Sequence, residues 1–130
     1  MVFVYPAIVH FANNSLWLEF PNLVGCTTFG DNIEEVYDNA MEAMEVYILS
    51  SLENNISLPN ATDFKELKSN IDDNSFITYI KKDIDLSKNT KSVKKTLTIP
   101  AWLNNLALEK NINFSKELQE ALVDKLLKED

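Results

Sequence analysis

The sequence predicts an α+β protein of two small domains, in which three strands, a long helix and a fourth strand precede a strand and two short helices. Three observations support this class. The N-terminal part is rich in strand-forming side chains, residues 33–52 carry an amphipathic helical pattern, and residues 93–127 have the pattern strand, proline, helix, helix. The polar residues 86–92 separate the two parts, so we expect domains at 1–85 and 93–130 joined by a linker.

The N-terminal strands are predicted from composition and turn residues. Val2–Phe11 is almost entirely β-branched, aromatic or otherwise strand-forming and predicts the first strand. Pro6 lies inside it, so this strand should lie at a sheet edge or carry a bulge. The turn residues Asn13-Asn14-Ser15 connect it to Leu16–Phe20, and this order predicts a hairpin. Cys26–Phe29 predicts a short third strand.

A long amphipathic helix is the clearest predicted element. Asp31 and Glu34 have the spacing of a capping box at its start, and Asn54-Asn55 ends it. Beyond it we expect a helical turn at Phe64–Leu67 and a fourth strand at Ser75–Ile84. The apolar stripe of the helix consists of Ile33, Val36, Tyr37, Ala40, Met44, Tyr47, Ile48 and Leu52.

The C-terminal segment predicts a strand with two unlike faces, because strand side chains alternate. The apolar face has Val93, Leu97 and Ile99, interrupted by Lys95, and the polar face has Lys94, Thr96 and Thr98. Pro100 suits the first turn of a helix, and Asn113 is a good N-cap for a second helix. About forty residues cannot bury this apolar surface alone, so we expect pairing with a second copy. The expected dimer contacts are Leu97, Ile99, Trp102, Leu103, Leu106, Leu118 and Leu122.

This β-α-α order resembles a ribbon-helix-helix DNA-binding domain, in which two antiparallel strands enter the major groove. The resemblance implies that the polar strand face meets base edges and that the second helix offers its free N–H groups to a phosphate. The alternative structure is an ordinary β-hairpin edge with a helical hairpin. The alternative function is a stand-alone protein-interaction module whose C-terminal segment only dimerises. The expected DNA contacts are Lys94, Thr96, Thr98, Lys95, Asn113 and Ser115.

The net charge of −8 is unevenly distributed. Residues 1–80 contain 2 Lys and 12 Asp or Glu, a net charge of −10, whereas residues 81–130 contain 10 Lys and 8 Asp or Glu, a net charge of +2. The first part should therefore repel nucleic acid and bind a basic surface, while the second can approach phosphate. Cys26 is the only cysteine and permits no internal disulfide, which fits a cytoplasmic protein. No apolar run approaches the ~20 residues of a membrane span.

Three strings, Tyr5-Pro6-Ala7-Ile8, Leu16–Cys26 and Gly30–Glu35, resemble in sequence and order the N-terminal domain of HicB-type antitoxins. Members of this family have a degenerate, partial ribonuclease-H-like N-terminal domain and end in a helix-turn-helix or a ribbon-helix-helix domain. The resemblance implies a protein that neutralises a HicA-type toxin, a small basic mRNA-cleaving ribonuclease. It also implies repression of its own operon through operator DNA, by a homodimer or a higher even-numbered assembly.

The acidic residues of the long helix are the expected toxin contacts, because a protein that holds RNA phosphates must be basic. They are Asp31, Glu34, Glu35, Asp38, Glu42 and Glu45, and the alternative is that they form a solvated helix face. We expect no catalysis, metal or cofactor. Active ribonuclease-H-like enzymes need carboxylates that converge on two metal ions, and Val2–Phe11 contains no Asp or Glu. His10 and Cys26 have no partners at catalytic or metal-binding spacing.

Overall fold

The computed structural model describes residues 1–87 and 91–127, and the chain divides into two compact units, Val2–Thr90 and Lys91–Asp130. The mixed content of helices and strands confirms the predicted α+β class. The first unit contains β1 Val2–Ala12, β2 Ser15–Glu19, β3 Thr27–Gly30, α1 Ile33–Glu53, α2 Phe64–Lys68 and β4 Ser75–Asp83, and the second contains α3 Ala101–Glu109 and α4 Phe114–Leu127. The ribonuclease-H-like and ribbon-helix-helix descriptions stay predictions.

The four strands form one antiparallel sheet in the order β3-β2-β1-β4. β1 pairs with β4 from Val2 to His10 but with β2 only from Ile8 to Ala12. The expectation of an edge strand is wrong, because β1 lies between β2 and β4. Pro6 is accommodated because β1 has a partner strand on one side only at that residue. Both registers run without an extra residue, so the alternative expectation of a bulge is wrong.

The predicted hairpin is confirmed. Ala12 pairs with Ser15, which leaves Asn13 and Asn14 as the connecting residues. Asn13 has a φ of +55°, in the left-handed region that Asn enters more readily than most residues. The amide side chain therefore explains why this tight connection needs no glycine.

α1 packs on one face of the sheet through residues spaced one helical turn apart. Val36, Ala40, Met44 and Ile48 are completely buried, as the predicted stripe requires. The start of the helix lies so close to β3 that a Cβ atom at Gly30 would be 2.6 Å from the backbone nitrogen of Val36. Glycine at this position therefore allows the close approach of helix and strand.

The helix begins differently from the prediction. Asn32, and not Asp31, is the N-cap, and its Oδ1 accepts a hydrogen bond of 2.8 Å from the backbone N–H of Glu35. The predicted capping box of Asp31 and Glu34 is therefore wrong, because the capping side chain must directly precede the first helical residue, Ile33. Asp31 lies one residue too early and is exposed.

The second unit consists of the two predicted helices and the extended segment before them. Pro100 lies at the N-cap of α3 and not inside its first turn. The predicted N-cap of α4 is confirmed, because Oδ1 of Asn113 accepts a hydrogen bond of 3.1 Å from the backbone N–H of Lys116. Residues 93–99 form no strand in the single chain, because their backbone has no hydrogen-bond partner among the described residues. The ribbon predicted at this segment requires a second copy and stays a prediction.

Candidate interaction surfaces

An acidic face runs along the exposed side of α1. Glu34, Asp38 and Glu42 follow one another at intervals of four residues, and all three are exposed. Within the described part of the chain no ion-pair partner is found for any of them. Like charges at this spacing destabilise a helix by about 0.2–0.5 kcal/mol per pair. Glu34 lies in the first turn and gains from the helix dipole, but Asp38 and Glu42 lie beyond that turn. The stability of α1 therefore does not explain the whole of this face, called the acidic face below.

The other three predicted toxin contacts differ from the acidic face in their surroundings. Asp31 and Glu35 are exposed at the start of α1, where Glu35 in the first turn interacts favourably with the helix dipole. Glu45 is only 13% exposed, and its carboxylate lies 2.6 Å from Nζ of Lys82 on β4. This ion pair fastens α1 to the sheet, so the structure separates Glu45 from the exposed acids.

A groove of about 660 Å³ lies between α1 and the edge strand β3. Its single charged lining residue among those described is Glu42, which also belongs to the acidic face. Cys26 contributes to the floor of the groove, and burial raises the pKa of its thiol. The thiol is therefore held in its neutral form, unlike a reactive thiolate. The lining also includes Thr27, Thr28, Asn39, Ala43, Val46, Tyr47, Ser50, Ser51 and Ile56.

His10 has neighbours that sequence analysis missed. Its ring stacks on Trp17 with a centroid distance of 4.0 Å, and its Nδ1 lies 2.7 Å from the hydroxyl of Ser75. Nε2 is 3.5 Å from a carboxylate oxygen of Glu19, too far for a good hydrogen bond. The β1 register brings Trp17 and Ser75 opposite His10, so only knowledge of the strand pairing could have found this cluster.

The hydroxyl in this cluster is not arranged as a nucleophile. Ser75 donates its proton to Oδ1 of Asp72 at 2.9 Å, so it accepts from Nδ1–H of His10. Nucleophilic catalysis needs the opposite direction, in which the imidazole takes the proton of the hydroxyl. Hydrogen bonding thus assigns the cluster a structural role, in which a side-chain hydrogen bond joins β1 to β4.

Within residues 1–87 and 91–127, no group of three or more His, Cys, Asp or Glu side chains could hold a metal ion. No helix in those ranges combines the length and the apolar character needed to cross a bilayer.

The predicted DNA contacts lie in the second unit. Lys94, Lys95, Thr96 and Thr98 are all exposed in the extended segment. Asn113 and Ser115 lie together at the start of α4, where the Asn113 carboxamide oxygen is already used as the cap. The segment therefore presents its polar and basic side chains to solvent, and the helix start offers its remaining N–H groups.

The predicted dimer contacts form an uncovered apolar surface. Neither α3 nor α4 has a buried residue. Trp102 is 64% exposed and Leu97 is 61% exposed. Large contiguous apolar surface of this kind marks an interaction site in a stable protein. The remaining members are Ile99, Leu103, Leu106 and Leu122, which are exposed, and Leu118, which is partly covered.

The chain is similar to a phage protein and to chains in two solved structures. An uncharacterized 14.9 kDa protein from the rep-hol intergenic region of Haemophilus phage HP1 (strain HP1c1) is 29% identical over 101 residues, which cover 77% of this chain and 75% of that protein. A toxin–antitoxin complex from Streptococcus pneumoniae contains a chain that is 28% identical, with a TM-score of 0.56, 96% of this chain and 99% of that chain being covered. The crystal structure of antitoxin HicB3 shares the fold at 24% identity and a TM-score of 0.54, covering 98% and 100% of the two chains.

The family follows from the extent of the match to a family profile. The profile of the HicB-like antitoxin of bacterial toxin–antitoxin systems matches residues 5–125, and therefore includes elements of both units. The three N-terminal strings that resemble this family lie in β1, in β2 with the loop after it, and at the start of α1. The chain therefore belongs to the HicB-like antitoxin family of bacterial toxin–antitoxin systems.

Proposed function

We propose that this antitoxin neutralises a HicA-type mRNA-cleaving toxin by covering the toxin's basic RNA-binding surface with the acidic face of α1. The observation that carries the proposal is the run of Glu34, Asp38 and Glu42, exposed and without cationic partners in the described chain. The similar chain in the Streptococcus pneumoniae structure, which is a toxin–antitoxin complex, supports a toxin as the partner.

The negative charge of the acidic face can attract a basic protein. A ribonuclease that holds phosphates presents positive charge, and a complementary negative surface accelerates the encounter of two proteins. Three uncompensated carboxylates on one rigid helix face provide such a surface without rearrangement. The acidic face should therefore increase mainly the rate of association with the toxin. Salt should reduce this increase, because exposed charges are screened.

The test compares two charge reversals of equal size in the full chain. Asp38→Lys with Glu42→Lys changes the acidic face, and Glu66→Lys with Asp73→Lys changes exposed acids elsewhere in the same unit. With a purified HicA-type toxin, a small basic protein, as the ligand, we expect association about tenfold or more slower for the first variant. The control should stay within about twofold. Surface plasmon resonance at two salt concentrations measures both rates.

Equal slowing by the two variants would show that only total charge matters and would overturn the role of the acidic face. Failure of the wild-type chain to bind the basic protein at all would overturn toxin neutralisation itself.

We also propose that residues 91–130 dimerise and bind operator DNA, so that the antitoxin represses its own operon. Support comes from the extended segment, in which apolar Leu97 and Ile99 alternate with polar Thr96 and Thr98, all of them exposed. Two such segments paired antiparallel would cover the apolar face and present the polar face to the major groove. A dimeric interaction module without DNA binding is the alternative. Retention of promoter DNA that falls with rising salt separates the two, because phosphate contacts release counterions.

We propose further that the protein is not a nuclease. Its fold offers Glu19 beside His10 and Asp31 in an exposed loop, which does not give the converging carboxylates of a two-metal site. Magnesium-dependent cleavage of RNA by the purified wild-type protein would contradict this proposal.

A further inference from the structure

The outer edge of β3 has backbone groups that no other part of the described chain uses. The N–H of Phe20 donates to the carbonyl of Cys26 at 3.2 Å, which fixes the alternation between β2 and β3. Thr28 and Gly30 therefore face β2, whereas Thr27 and Phe29 face outward.

One outward group is already occupied. The carboxamide of Asn39 on α1 donates to the carbonyl of Phe29 at 2.9 Å, which agrees with the outward orientation of Phe29. Within the described residues, the N–H and C=O of Thr27 and the N–H of Phe29 have no other partner. Thr27 thus offers both groups of a complete antiparallel pair at a sheet edge.

The groove described above lies directly beside this edge. Val46 and Ile56 line it and are 63% and 57% exposed, and Phe29 next to it is 68% exposed. Glu42 gives the lining its one charge among the described residues, and Asp38 lies one turn away on the acidic face. The groove therefore combines apolar surface, open backbone groups and negative charge.

We propose that one extended, basic segment of the toxin adds to the edge of β3 and lies in the groove, with a Lys or Arg near Glu42. This rests on the proposed toxin partner and specifies how the toxin binds. Main-chain hydrogen bonds to Thr27 provide the alignment, and alternate side chains enter the groove against Val46 and Ile56. A second copy of this chain is disfavoured as the occupant, since its residues 1–80 would add another net charge of −10.

The first experiment blocks the edge without changing the β2–β3 pairing. Thr27→Pro in the full chain removes the outward N–H and places a ring where the added strand must approach, and proline is tolerated at such edge positions. Thr27→Ala removes the same side chain but keeps the N–H and is the matched control. With a purified HicA-type toxin as the ligand, we expect about tenfold or more weaker binding for Thr27→Pro. Thr27→Ala should stay within about twofold.

A second experiment uses the wild-type chain, so that it does not depend on the folding of a variant. Overlapping synthetic peptides covering the toxin sequence are titrated, and the best binder is N-methylated at one backbone amide at a time. Strand addition predicts loss of binding at alternate residues only, because every second N–H points to β3.

The outcomes separate the two proposals. Strand addition would be overturned if a folded Thr27→Pro variant bound the toxin as tightly as the wild-type chain does. It would also be overturned if N-methylation weakened binding without alternation along the peptide. Either result would leave toxin neutralisation standing. A Thr27→Pro variant that changes oligomeric mass but not toxin affinity would instead assign the edge to a second copy. No toxin binding by the wild-type chain would overturn both.

Discussion

Burial keeps two ionisable side chains of the first unit in their neutral forms. Desolvation raises the pKa of the Cys26 thiol above its ordinary value. The pKa of Tyr5 is raised by desolvation and, to a smaller extent, by Tyr47, and its hydroxyl donates to the carbonyl of Pro59 at 2.6 Å. Since both groups ionise more easily in the unfolded chain, folding loses stability as the pH rises from the unfolded pKa through the folded one.

The raised pKa of Cys26 leads to a prediction about stability at alkaline pH. We expect the free energy of unfolding of the wild-type chain to fall as the pH rises past the ordinary thiol pKa of 9.0, and to fall less steeply in Cys26→Ala. Urea unfolding at pH 7.5, 9 and 10 measures the slopes, and the pH 7.5 value of Cys26→Ala supplies the baseline for lost packing. Parallel slopes for wild type and variant would contradict a buried neutral thiol.

Single residues also show how far sequence reasoning reaches. Asn113 was predicted correctly as an N-cap, because the position before a helical stripe restricts the choice. At the start of α1 the predicted N-cap is Asp31, which is wrong. In the structure Asn32 adopts the extended backbone that a cap requires, with a φ of −149°. The environment of His10 could not be predicted, since Ser75 is distant in sequence and comes near only through strand pairing.

Whole elements were predicted better than their contacts. The four N-terminal strands, α1 and the helical turn at α2 follow from composition and periodicity, with boundaries within about two residues. The ion pair between Glu45 and Lys82 did not follow, because it depends on where β4 lies beside β1. For the same reason Glu45 could not be separated from the acidic face by sequence alone.

The extended segment of residues 91–100 leads to a prediction about DNA binding. We expect Lys94→Ala or Thr96→Ala to weaken binding to a promoter fragment by about tenfold, because contacts with base edges are worth about 1–3 kcal/mol each. Toxin affinity should not change, since α1 and β3 are untouched. Gel-shift and toxin-binding measurements on the same preparation test both statements, and Lys81→Ala on β4 is the control with the same loss of charge. Equal loss of both activities would contradict separate surfaces.

The chain as a whole combines an acidic unit with a basic extended segment, a division that the charge distribution already indicates. The first unit has a well-buried core of its own, whereas α3 and α4 have no buried residue. We therefore expect the second unit to pair with a second copy, which would cover its apolar surface. The exact boundary of the domains stays a prediction, as does the number of chains in the assembly.

The proposed pairing of two chains leads to a prediction about oligomeric state and promoter binding. Trp102→Asp with Leu122→Asp should shift the proposed dimer or larger assembly to single chains and abolish promoter binding, because a lone chain cannot form the ribbon. Toxin affinity should be retained. Sedimentation analysis beside gel-shift measurements checks this, with Val24→Asp, at a position 84% exposed in a loop, as the control. A single-chain variant that still holds promoter DNA with wild-type affinity would contradict pairing.

The unpaired backbone of residues 91–99 has one more consequence. An open peptide stretch accessible from all sides is what the cleft of a protease accepts, and among the described residues 91–99 none is held by a backbone hydrogen bond. A cut there would detach the operator-binding half from the toxin-binding half, under the roles proposed above. Pairing into a ribbon would make the same peptide bonds inaccessible to a protease. Single subunits would therefore be degraded before subunits that are paired on promoter DNA.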